Sequence, residues 1–155
     1  MEASVHQGTV FAEPLRLSKE RKRVDVMAIM RYSNMAVVNR YAHDHQVAVE
    51  EAHILFEETK KFLAVCASEA DGDIEKMSPS DKQDQMWHTF VLHTKDYMDF
   101  CYEMFGVYLH HQPCTGTREH VSPEQSKMKA EKMFGSVAPR QWTNSKEMRC
   151  CCSYC

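Results

Sequence analysis

From Val47 to Ala67 the chain keeps one rhythm. Ala48, Ala52, Leu55, Phe56, Thr59, Phe62, Leu63 and Cys66 recur every three or four positions. Only an α-helix, at 3.6 residues per turn, lays such a set along a single face. Glu50 and Glu51 fall in the first turn, where they oppose the helix dipole. Glu57 and Lys61 are spaced to pair across one turn on the wet side. The polar stretch Glu69 to Lys76, with Asp71-Gly72-Asp73, ends the segment in a loop.

The neighbouring segments repeat the pattern with clearer punctuation. Ser78-Pro79, or Ser80 with Gln83 as a capping box, opens a helix that Phe105-Gly106 closes. Ser122-Pro123-Glu124-Gln125 opens a shorter one that Phe134-Gly135 closes. Upstream, Val24, Met27, Ala28, Met35 and Val38 keep helical spacing, with Tyr32-Ser33-Asn34 as a possible break. Glycine and proline number 5 each in 155 residues, about half the usual share, which leaves few turns for many short strands. These signals predict an all-α domain, a single compact bundle of four to five helices, with a loop carrying His110-His111 and Pro113. The expected division is a loosely ordered arm over 1–16, a helical domain over 17–142 and a cysteine-rich tail over 143–155.

Charge and composition exclude several classes. The formal net charge is −3, whereas a domain that binds nucleic acid or an anionic membrane is usually basic. No stretch approaches the ~18 apolar residues of a membrane span, and the N-terminus lacks a secretory pattern. The expected setting is therefore cytoplasmic, without nucleic-acid or membrane partners and with room for a protein partner. Seven cysteines, an odd number, do not describe a disulfide framework in that setting. Cys66 and Cys101 lie inside helical patterns and read as small buried hydrophobes. No glycine loop for a phosphate, no dinucleotide fingerprint and no nucleophile aligned with a base is present, so no catalytic residue is assigned.

The informative stretch is Asp84 to Pro113, which holds His88, His93, His110 and His111. On a continuous helix over 80–105, Trp87, Phe90, Val91, Thr94, Tyr97, Met98, Cys101 and Phe105 share the core face. His88 and His93 are five apart and point roughly 140° from each other on an ideal helix, so they cannot clamp one ion alone. A metal site needs one of them to meet His110 or His111, with Asp84 orienting the His88 ring. Imidazoles with a carboxylate suit zinc or another first-row transition metal. Plainer readings stand beside this one. Asp84 and His88 form an ordinary i,i+4 pair, His93 bonds to a backbone carbonyl at a helix boundary, and His110-His111 is a turn with one ring buried.

The string Asp84-x-x-Trp87-His88, then His93, Tyr97, Phe105-Gly106 and His110-His111-x-Pro113, resembles the glycine-rich-domain-containing-protein-like family. Val37-Val38-x-Arg40-Tyr41, Lys61-Phe62-Leu63, Phe134-Gly135 and Trp142 extend the resemblance over most of 24–142. It implies a compact helical domain and carries over no catalytic residue. The chain departs from the larger members in lacking a glycine-rich segment. It also has Phe90 where those members often place a second histidine.

The tail brings Cys150, Cys151, Cys152 and Cys155 together. Cys152 and Cys155 have zinc or redox spacing, but a structural zinc site normally takes four ligands. The tail thiolates are a possible second ligand pool, a substrate for modifying enzymes, or an unstructured end. Three functions follow: a histidine-based metal-binding module, a metal-free interaction domain with structural histidines, and a carrier of a modified tail.

Overall fold

The computed structural model describes residues 20–69, 77–111 and 122–144. Six α-helices follow one another in these residues: α1 (Val26–Arg31), α2 (Met35–His45), α3 (Val49–Ser68), α4 (Asp81–Leu92), α5 (Thr94–Phe105) and α6 (Pro123–Phe134). A 3-10 turn, Pro139–Gln141, comes after α6. No β-strand occurs among the described residues. The all-α reading holds, with six helices in place of four to five. The arm over 1–16 and the cysteines of the tail lie outside the described residues.

Most ends form as the sequence indicates. Ser80 with Gln83 and Ser122 with Gln125 both close complete capping boxes. Each N-cap hydroxyl accepts the N–H three residues on, and each glutamine side chain accepts the cap's own N–H. Tyr32–Asn34 does break the first segment. Asn34 caps α2 through its side chain, as Asp25 caps α1. Gly106 ends α5 at φ 72°, the left-handed region that glycine enters without steric penalty. A Cβ at Gly106 would lie 2.5 Å from the main-chain oxygen of Glu20. Gly106→Ala is therefore expected to cost about 1–3 kcal/mol in urea unfolding, from dihedral strain and displacement of the 20–22 segment.

The continuous helix expected over 80–105 is divided at His93, whose φ −82° and ψ 62° leave the helical region. Phe90 and Tyr97 explain the gain. Seven residues along one straight helix rise ~10.5 Å, whereas across the break at His93 these rings lie 5.1 Å apart. Phe90 also meets Tyr32, Phe56 and Phe100, so one aromatic cluster joins the first break, α3, α4 and α5. Beside the break Thr94, expected in the core, is at the surface, and Leu92 is exposed.

Helix α3 is the central element and packs against α1, α2, α4 and α6. From Glu58 to Ala67 every residue is buried, including Lys60 and Lys61. The expected Glu57–Lys61 pair is replaced by two others. Lys60 pairs with Glu57 at 2.8 Å and donates to the main-chain oxygens of Ile29 and Tyr32, closing the α1–α2 break. Lys61 pairs with Glu58 at 2.8 Å.

Burial has a consequence at high pH. It pushes the Tyr41 hydroxyl up to about 12, the Cys101 thiol up to about 11, and raises Tyr97 and Cys66 as well. In the unfolded chain these groups lose protons near 9.0 for cysteine and 10.0 for tyrosine. Above pH 9 the unfolded state thus binds fewer protons than the folded one, and stability falls as pH rises. Lys60 acts in the opposite sense, because burial lowers its ammonium despite Glu57. Four raised groups outweigh one lowered group. The urea midpoint is expected to drop steadily between pH 9 and 11, and Tyr41→Phe to shallow the drop.

Candidate metal centre

The site forms where the chain leaving α5 runs back along α4. Asp84 and His88 are one turn apart on α4, and His111 arrives from the irregular segment after Gly106. One donor atom from each of the three lies within 4.8 Å of the other two. The Asp84 and His111 side chains are 9% and 12% exposed, and that of His88 is 46% exposed.

The carboxylate of Asp84 serves both rings. Its Oδ1 is 2.9 Å from His111 Nε2, and its Oδ2 is 3.4 Å from His88 Nδ1. His88 Nδ1 is also 2.9 Å from the main-chain oxygen of Asp84. A neutral His88 that donates its Nδ1 proton to that carbonyl keeps Nε2 as a lone-pair donor, a common arrangement of metal-binding histidines. The two rings lie 4.2 Å apart, centroid to centroid. Tetrahedral zinc, with ligand bonds of about 2.0–2.1 Å, holds donor atoms about 3.3 Å apart. The Asp84–His111 pair, at 2.9 Å, needs a small opening to reach that spacing, and the three donors as a set lie within 4.8 Å of one another.

Two further side chains hold the pieces in place. Trp87 packs its indole against His111 at 4.2 Å and donates from Nε1 to the Tyr97 hydroxyl at 2.9 Å. The Tyr97 hydroxyl donates to the main-chain oxygen of Leu109 at 2.6 Å. Tyr97 therefore braces both α4, beside His88, and the returning segment two residues before His111. In the sequence it is one more aromatic on a core face, and no local signal marks the hydroxyl.

The four candidate histidines separate. His88 and His111 come together. His93 is outside this group, with Nδ1 2.9 Å from the main-chain oxygen of Thr89. That is the helix-boundary arrangement, and it follows from the break between α4 and α5. His110, adjacent to His111 but pointing to solvent, stacks edge-on to Tyr108 at 4.9 Å. The sequence spacing gives Asp84 only the role of orienting His88. Asp84 stands closest to His111 instead, in a position to be a ligand itself. The thiolates of Cys150, Cys151, Cys152 and Cys155 lie outside the described residues.

A family model described as UCP032817-like matches residues 22–144. The chain belongs to the UCP032817-like family. The span matched to the UCP032817-like model contains the whole bundle, the three converging residues and Tyr97. It stops short of the four tail cysteines. No curated protein and no solved structure gives a significant match.

Proposed function

We propose that this chain is a small helical module that binds one first-row transition metal ion, of the zinc class, through Asp84, His88 and His111. The convergence of three donors from positions 27 residues apart supports this most directly. An incidental i,i+4 pair on a helix surface needs no third partner. Here a second imidazole comes back to the same carboxylate, largely out of water. Two imidazoles and a carboxylate match the donor preference of zinc and its neighbours. The resemblance to the glycine-rich-domain-containing-protein-like family belongs to the same reading, since Asp84, Trp87, His88 and His111 carry both. The expected cytoplasmic setting is part of the proposal too. Among the described residues, no helix is long and apolar enough to cross a membrane.

One observation favours a second reading. The 2.9 Å Asp84–His111 bond by itself fastens the returning segment to α4, as a metal-free interaction domain with structural histidines requires. Metal titration of the purified full chain, with calorimetry and elemental analysis, separates the two. The metal reading expects one ion per chain. His111→Ala and Asp84→Asn should weaken it by about 100-fold or more, because even partners outside the ligand set are worth about 10–100-fold. His93→Ala and His110→Ala should leave affinity unchanged. Equal affinity in all four variants, or no binding by the parent, overturns it.

A further inference from the structure

The geometry points to a metal centre that keeps one coordination position open to solvent and takes a small anionic oxygen or nitrogen donor there, of the carboxylate or azide type. This rests on the metal reading above and adds what the ion would face. Among the described residues, the group of ligand-bearing side chains stops at three. Zinc and its neighbours take at least four donors, and a site with three protein ligands completes its shell from outside.

The direction of the opening is set by burial. Asp84 and His111 are almost enclosed, whereas nearly half of the His88 side chain is in water. Trp87 covers the His111 ring and walls off that side. An ion among the three is therefore shielded on the Trp87 side and reached along His88. The charge of the set chooses the visitor. Two neutral imidazoles and one carboxylate leave a divalent ion with a net charge of +1, which favours an anion over a neutral donor. Partial enclosure strengthens that preference, because the surrounding dielectric is lower than that of water. The donor set also argues against a soft ligand, as no thiolate joins it among the described residues.

The test uses the full chain loaded with cobalt(II), whose visible bands report coordination number and donor type. Sodium azide and sodium acetate are titrated separately into the loaded protein. The expected result is a saturable shift of the bands with each anion. The shift should be abolished by zinc, which displaces cobalt, and absent in His111→Ala. His88→Ala, at the half-exposed ligand, should lose the shift as well and keeps the assignment testable if His111→Ala does not fold. Stoichiometric cobalt whose bands ignore both anions overturns the proposal and leaves a closed metal site. An anion-sensitive band that survives in folded His111→Ala, or that carries thiolate charge-transfer intensity, places the open ion elsewhere and overturns it as well. A chain that retains no cobalt overturns this proposal together with the metal reading.

Discussion

Glu58→Ala is expected to destabilise the protein by about 3–5 kcal/mol, the range for removing one partner of a buried ion pair. Glu58 is nearly inaccessible on the inner helix α3, and both its carboxylate oxygens are in use. Oε1 accepts from Lys61 Nζ at 2.8 Å, and Oε2 accepts from Trp142 Nε1 at 2.7 Å. Lys61 reaches on to the main-chain oxygen of Ser136 at 2.9 Å, so one carboxylate ties α3 to the segment after α6. Removing it strands a buried ammonium with one carbonyl and leaves a buried indole N–H without an acceptor. A domain of this size is stable by about 5–15 kcal/mol, so the loss is a large fraction of the total. Urea unfolding followed by circular dichroism measures it. Glu58→Gln should cost less, because the amide oxygen can still accept from Trp142. The pair Glu58→Ala with Lys61→Met should recover much of the loss, since no charge then stays buried alone. A cost below about 1 kcal/mol for Glu58→Ala would show that water replaces the network.

The same residue shows where sequence reasoning stops. The apolar face of α3 was legible because it repeats at helical spacing, and its members Ala52, Leu55, Phe56, Thr59, Phe62, Leu63 and Cys66 are buried, whereas Ala48, at the N-cap, is exposed. The charged residues between them read as a wet face, which is right for a helix on the surface of a bundle. But α3 is enclosed on several sides along its second half. Its lysines must find partners inside the protein, and they choose neighbours three residues back. Periodicity reports which face is most apolar, and says nothing of whether the opposite face meets water. The helix ends were legible for a different reason. Ser80, Ser122, Gly106 and Gly135 act through bonds within three or four residues, which the sequence specifies locally. His93 lacks such a signal. At its break Phe90 and Tyr97 pack ring against ring, a contact between helices that spacing alone does not report.

The candidate site divides along the same line. That a site would need His88 or His93 to meet the His110-His111 loop was readable, because the two rings point apart on any helix. Which of the two adjacent histidines turns inward was not readable from spacing. The packing decides it. Leu109 is fully buried and its carbonyl is held by Tyr97. Of the next two residues His110 is exposed, whereas His111 turns to the buried side with Leu109. There it meets Trp87 and Asp84.

Tyr97→Phe follows from that argument and is expected to act at two levels. The hydroxyl is buried and fully used, accepting from Trp87 and donating to Leu109. Phenylalanine keeps the ring contacts with Phe90 and Tyr108 but leaves one donor and one acceptor unpaired. At about 1–3 kcal/mol for each of the two unsatisfied buried groups, the expected loss of stability is about 2–6 kcal/mol. The second effect is on the site. Tyr97 touches neither Asp84 nor the two histidines, so it is a positioning residue. Its removal frees Trp87 to move against His111 and loosens the segment that delivers His111. Metal affinity should then fall by about 10–100-fold, as it does when outer partners of metal ligands are removed. The two effects are separable. Gly106→Ala also lowers stability, through strain at φ 72° and displacement of the 20–22 segment, yet it removes no member of the Trp87–Tyr97–Leu109 chain of hydrogen bonds. If affinity tracks stability alone, both variants should lose it alike under conditions where both are folded. If Tyr97 positions the ligands, only Tyr97→Phe should lose it, and the indole fluorescence should change on metal binding by a different amount than in the parent.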